Sequence, residues 1–337
     1  MAKEKKKQHY VPQAYLENWS VPNKHQVYVY NKTQRKTYLT GIDNVANERY
    51  FYDIDFTGIL TEEDLKTYGI SSCDPKHIDD GQYIENFFAN RVENYFKQQL
   101  NSVIQRIAKM TPWEINNCVF MSPREKFLFS FHLALQFIRV KSVRNAMTDS
   151  ADCLEQVLHD MGATQEVIDK YTLPESQLPF THGRMILNQD QIEELSQCFF
   201  SLTWILRVNR TSQPFYTSDS PIGTKAHVQH PFMSMAGLKS KGVEAYFPIS
   251  PELMLVMFDG DHHTNIKEFD RRIVELSDLD SVKDYNSRCI LHSDACIFSK
   301  TDDFSLIEEM LSKNPDILDM PHTVVRWGGK TYSPRRK

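Results

Sequence analysis

Ser201-Leu202-Thr203-Trp204-Ile205-Leu206-Arg207-Val208-Asn209 has a strong strand pattern, and Phe215-Tyr216-Thr217-Ser218-Asp219-Ser220-Pro221 follows it across the turn residues Arg210-Thr211-Ser212-Gln213-Pro214. Pro221 cannot donate to a β-ladder and so stops the second segment. Three small polar side chains thus arrive together where a sheet can present hydroxyls and a carboxylate at its end.

Reading outward from there, β-type patterns flank a helical middle. Towards the C-terminus, 243–249 and 253–258 read as strands split by Ser250-Pro251-Glu252, and 259–263 as a polar turn. A helix over 281–291, a strand over 295–298, a helix over 304–311 and a last strand over 323–327 follow. Towards the N-terminus, Pro12 opens a short helix with Val11, Tyr15, Leu16 and Trp19 at helical spacing. Residues 26–30 and 36–39 read as a hairpin, 50–53 as a further strand, and 57–80 as a polar loop with a short helix over 62–67. Between the two ends, Ile84, Phe88, Val92, Phe96, Leu100, Val103 and Ile107 make one helical stripe over 83–109, with Glu93 and Lys97 as a flank pair. Ser122-Pro123-Arg124-Glu125 is a capping box with proline at the first helical position, and helices over 150–171 and 189–198 complete the block. The spacing is of the hairpin type, without βαβ alternation. It predicts an α+β fold, with a mostly antiparallel sheet formed from both chain ends around a large helical block. Residues 1–337 then form a single domain, with β-rich parts 1–56 and 199–330 packed together and a helical insertion over 83–200.

Composition narrows the class. The 337 residues carry a net charge of -5, which gives no overall basic footprint for nucleic acid, although a local groove stays open. Only 12 glycines are present and no phosphate-binding glycine loop, which argues against a nucleotide fold of that kind. No apolar run approaches the ~20 residues of a membrane helix. The charged N-terminus has no apolar core of a secretory signal. The six cysteines are widely spaced and form no C-x-x-C, so they read as reduced thiols of a cytoplasmic protein.

His9-x-x-Pro12-x-x-Tyr15-Leu16-x-x-Trp19, the hairpin residues Val27 to Lys32, Asn44-Val45-Ala46 with Phe51-Tyr52-Asp53, and Thr217-Ser218-Asp219-x-Pro221 together span most of the chain. This combination resembles the uncharacterised bacterial family DUF4238. The resemblance implies one intracellular bacterial domain and brings no settled activity. Its link to prophage or defence gene neighbourhoods is an association.

The chemistry is dispersed. There is no H-E-x-x-H, no G-x-S-x-G and no zinc ribbon, and Ser218 lacks a nucleophile elbow. What remains is a set of polar residues: His9, Thr217, Ser218 and Asp219 as catalytic candidates, and Asn44, Gln136, Arg139 and Asn286 as binding candidates. His132, Gln136 and Arg139 share one ridge of an otherwise apolar helix. Arg139 there either meets a core carboxylate or holds an anionic ligand. Asn286 on an apolar helix face is either a backbone clamp or a site residue. His227 and His230 lack nearby partners for a metal. In an enzyme reading, His9 is a general base, Asp219 its orienter or a metal ligand, with Thr217 or Ser218 fixing Asp219. Such a set suits a nuclease-like or other phosphate-ester hydrolase acting on a nucleic acid or nucleotide, with or without a divalent metal ion. The alternative is a non-catalytic ligand- or partner-binding domain in which the same residues form a hydrogen-bond network.

Overall fold

Pro12 has no N–H to lose at a helix start, and the apolar side chains behind it have one face to bury. In a computed structural model describing residues 5–53, 82–230, 233–320 and 323–335, that segment forms α1 (Gln13–Leu16) and a 3-10 turn at Glu17–Trp19. Val11, Tyr15, Leu16 and Trp19 are all buried. Strand β1 (Lys7–His9) precedes α1 and pairs with β4 (Asn47–Arg49). Between them β2 (Gln26–Asn31) and β3 (Lys36–Gly41) form the expected hairpin. The strand expected over 50–53 is replaced by the shorter β4, because Tyr50 adopts φ 56 and turns the chain. The short helix expected over 62–67 lies outside the described residues.

The long helical stripe folds as α2 (Tyr83–Phe87), a π-turn at Phe88–Val92, and α3 (Glu93–Lys109). The whole stripe is buried. The rest of the block is α4 (Pro112–Asn117), α5 (Pro123–Arg139), α6 (Lys141–Asp160), α7 (Gln165–Tyr171), α8 (Leu178–Leu187) and α9 (Gln189–Ser201). The capping box at α5 forms as expected, Ser122 accepting from the Glu125 N–H and Glu125 from the Ser122 N–H.

Two main sheets surround this block. The first has order β10-β5-β9-β8-β7, from β5 (Thr203–Asn209), β7 (Gly223–Ala226), β8 (Val243–Ser250), β9 (Leu253–Phe258) and β10 (Arg272–Leu276). Its pairs are antiparallel except β10, which runs parallel to β5. The second sheet joins the chain ends. Its order is β3-β2-β11-β6, with β6 (Thr217–Ser218) and β11 (Cys296–Ser299), all antiparallel. Helices α10 (Leu279–His292) and α11 (Ser305–Lys313) flank β11, and a last hairpin joins β12 (Val325–Trp327) to β13 (Lys330–Tyr332). The fold is therefore α+β, with antiparallel sheets drawn from both ends and helices between. The single expected sheet is two.

One apolar cluster joins the N-terminal segment, the helical block and both main sheets, including Val27 of β2, Phe96 of α3, Leu206 of β5 and Phe298 of β11. Among the described residues, no helix is long and apolar enough to cross a membrane.

Candidate functional site

The Thr217–Pro221 segment enters the second sheet at its edge, and β11 holds it there through Ile297 opposite Ser218 and Phe298 opposite Thr217. Asp219 follows at once and is buried. Its Oδ1 accepts the Asp294 N–H at 2.9 Å, and its Oδ2 accepts those of Ala295 and Cys296 at 2.8 Å each. Burial and the neighbouring Asp294 carboxylate push the Asp219 carboxyl up to about 7, against the pull of these three donors. The Lys32 ammonium donates to the Ser293 carbonyl at 2.8 Å, at the end of α10. Lys32 and Asp219 thus both hold one turn, 293–296.

The hydroxyls beside Asp219 do not orient it, as the enzyme reading expected. Thr217 Oγ1 lies 2.6 Å from the Tyr15 hydroxyl, which also donates to the Pro248 carbonyl at 2.8 Å. Ser218 Oγ accepts the Ser220 N–H at 3.1 Å and donates to the Ser220 carbonyl at 2.9 Å. Asn286 is a backbone clamp: its Oδ1 accepts the Tyr216 N–H at 2.8 Å and its Nδ2 donates to the Pro214 carbonyl at 2.9 Å.

A second polar group forms around α5. Gln136 donates to the Tyr10 carbonyl at 3.1 Å. Arg139 is almost fully enclosed and donates to the His9 carbonyl at 2.6 Å, to Glu93 at 3.0 Å and to the Tyr52 hydroxyl at 3.2 Å. Its guanidinium also stacks on Phe88 in the π-turn, 3.7 Å from the ring centroid. The carboxylate that meets Arg139 is Glu93, which is partly exposed and not in the core. The expected Glu93–Lys97 flank pair does not form; Lys97 instead meets Glu17 at 3.2 Å.

His9 is half-buried, with its ring against the Gln13 amide at 3.2 Å. Desolvation lowers its pKa to about 4; Glu93 opposes this and Arg139 adds to it. The charged neighbours of His9 are therefore Glu93 of α3, Arg139 of α5 and Lys7 of β1, whereas Asp294 is the carboxylate beside Asp219. The residue of this segment that lies in the field of Asp219 is Tyr10, whose hydroxyl is pushed well above its ordinary range, first by burial. Asn44 is exposed and accepts from Lys7 at 2.7 Å.

A cleft of about 1070 Å³ opens immediately beyond Asp219. Its walls come from α6, the 172–175 loop and the residues flanking the last hairpin (Thr323, Pro334 and Arg335), and Ser220, Ile222, His292 and Asp294 also line it. Two bonds tie this region to α6: Ser142 and Ser220 hydroxyls at 3.0 Å, and the Asn145 amide to Asp294 at 2.8 Å. Asp149, Asp152, Glu155 and Glu175 make much of the rim acidic. Sequence reading missed every one of these lining residues except Ser220 as part of the Thr217–Pro221 segment. They are ordinary helix and loop residues until α6 is laid beside the 219–222 turn.

The family model described as "Protein of unknown function (DUF4238)" matches residues 7–303. The chain belongs to the DUF4238 family. In this DUF4238 protein the match takes in the whole polar network and most of the cleft, but stops before the last hairpin. Comparison with curated proteins and with solved structures gives no match.

Cysteines and histidines complete the DUF4238 chemistry. The five cysteines among the described residues are free, and burial pushes Cys289 and Cys296 up to about 12, far from a thiolate nucleophile. His227, without sequence neighbours to help it bind a metal, gains Glu244 at 2.6 Å and the His263 ring at 4.9 Å through the fold. Even so, no group of three or more His, Cys, Asp or Glu among the described residues is placed to hold a metal ion.

Proposed function

We propose that this protein is a binding domain whose ligand site is the cleft beyond Asp219, and that the Thr217–Asp219 motif builds a wall of that cleft. The observation that carries this is the Asp219 carboxylate itself. Three backbone N–H groups occupy it, and the turn it holds presents Asp294 to the cleft next to Ser220. Arg139, Gln136, Asn286 and Thr217 are likewise committed to internal partners. A concave site with a few convergent polar groups is where a small ligand binds.

The acidic rim favours a cationic or neutral polar ligand. It opposes a nucleotide or nucleic acid, whose phosphates would need a bridging divalent ion there. Thermal-shift titration with small cations such as L-arginine amide, and with nucleotides in the presence of Mg²⁺, tests the reading. Stabilisation by the cation that is lost on filling the cleft with Ala146→Trp supports it. No response to any cation, with stabilisation by a nucleotide, overturns it.

A nuclease-like or other phosphate-ester hydrolase, with a defence-type role, is the second reading. It is favoured by one observation, the rise of Asp219 to about 7 next to the cleft, which suits general acid–base work. It requires ester hydrolysis that both His9→Ala and Asp219→Asn abolish. Under either reading we take the chain as one domain, because a single cluster links both ends to the helices, and place it in the cytoplasm on its cysteine usage.

A further inference from the structure

Thr323, Pro334 and Arg335 line the cleft, and the hairpin between them is held to the protein differently from the other walls. Gly328 and Gly329, at φ 56 and 79, form the tight turn between β12 and β13. That hairpin lies on α6 through a satellite cluster of Cys153, Val157 and Tyr332, with Val325 packed against it. The remaining ties are polar. Asp160 accepts from Lys330 at 2.8 Å and from the Tyr332 hydroxyl at 2.7 Å, and Gln156 donates to the Ser333 carbonyl at 2.9 Å. Beyond them, Arg335 reaches the rim of the cleft. Its backbone N–H donates to Asp152 at 2.5 Å, and its guanidinium stands 3.5 Å from Asp152 and 3.7 Å from Glu155.

We infer that residues 325–335 are a strap whose end, Pro334 and Arg335, closes one side of the cleft, with Arg335 occupying the carboxylates that a cationic ligand takes over when the strap opens. This rests on the binding reading of the cleft. Three features carry it. The strap is held by a small cluster of its own, separate from the main core, and by ion pairs that are partly exposed and readily screened. A unit with so few buried contacts opens far below the free energy of global unfolding. A guanidinium of the same chain already sits on Asp152 and Glu155, so the rim accepts that chemistry. The strap also lies outside the family-matched residues 7–303, which supply the opposite walls, so it is an addition across a cleft the family region already forms.

Hydrogen exchange on the full chain tests the strap, with Tyr332→Ala and Arg335→Ala as variants and L-arginine amide as the probe. The expected result is exchange on the order of tenfold faster across 325–332 in both variants, with the five-stranded sheet unchanged. In the wild type, L-arginine amide produces the same acceleration in a saturable way, and it binds the variants more tightly. Faster exchange in the variants without any binding of the probe keeps the strap and removes the binding reading of the cleft. Binding of the probe with equal affinity to all three proteins, and no change in exchange, removes the strap and keeps the cleft. Exchange of 325–332 as slow as that of β5 and β9 in every protein also overturns the strap.

Discussion

Asp219 Oδ2 accepts the backbone N–H of Cys296 at 2.8 Å, which fastens the Thr-Ser-Asp motif to the first residue of β11. Because the Ala295 N–H meets the same oxygen, Asp219→Asn sets an amide against at least one buried N–H donor whichever way it is turned. The expected loss is roughly 1–3 kcal/mol for each donor left unpaired. Chemical denaturation measures it directly. A variant as stable as the wild type but without activity would restore Asp219 to a catalytic role.

Thr217 and Tyr15 test the same point from the hydroxyl side. The Tyr15 hydroxyl has one proton, which goes to the Pro248 carbonyl, so Thr217 must be the donor to Tyr15. Thr217→Val removes only that donor and should cost about 1 kcal/mol. Tyr15→Phe breaks both links of the chain and should cost more. The reverse order in urea midpoints would show that the Tyr15 hydroxyl does not bridge Thr217 and Pro248.

The α+β class was legible because helical and strand periods stay separate along this chain. The stripe from Ile84 to Ile107 is entirely buried and the 26–41 hairpin forms in place. What escaped reading depends on contacts distant in sequence. Arg272–Leu276 is short and charged at both ends of its core, and becomes a strand only by lying parallel to β5. The π-turn at Phe88–Val92 carries no local signature; it faces the guanidinium of Arg139. The Gly328-Gly329 turn was readable in principle as a hairpin signal. In the candidate site, the sequence offered a backbone clamp for Asn286 and a carboxylate for Arg139, but not the partners of Asp219. Asp219 looked available because its three donors come from 294–296, and nothing in a sequence aims those N–H groups at it.

Arg139 is enclosed and pairs with the partly exposed Glu93, and loss of the guanidinium should be felt in stability. Arg139→Met leaves Glu93 and the His9 carbonyl without their donor, at a cost of about 1–3 kcal/mol. Glu93→Gln should cost less, because Glu93 is partly exposed and an amide oxygen still accepts from Arg139. Thermal melts of the two variants check the order. An Arg139→Met protein that melts with the wild type would mean that the guanidinium serves a ligand instead.

Stability should fall in mild acid, and His182 should account for part of it. His182 is fully buried; its Nε2 donates to the Ile138 carbonyl at 2.7 Å, and its Nδ1 accepts from Arg144 at 3.2 Å. Both nitrogens of a neutral ring are thus used, and a proton on Nδ1 would oppose the Arg144 guanidinium. Desolvation first, and Arg144 after it, lower the pKa from 6.5 to about 4. Between those values the unfolded chain binds the proton and the folded chain does not. The contribution is complete above 6.5 and is lost as the pH falls through about 4, to a limit of roughly 3 kcal/mol. His9, lowered to about 4, acts in the same direction. Asp219 acts against them: its pKa rises from 3.8 to about 7, so the folded state holds the extra proton and gains stability as the pH falls across that window. With two histidines against one carboxyl, the urea midpoint at pH 5 should lie below that at pH 7.5. His182→Gln should flatten the difference and Asp219→Asn should steepen it. A wild-type midpoint that rises on acidification, and still rises in Asp219→Asn, would show that the histidines take up protons freely in the folded state.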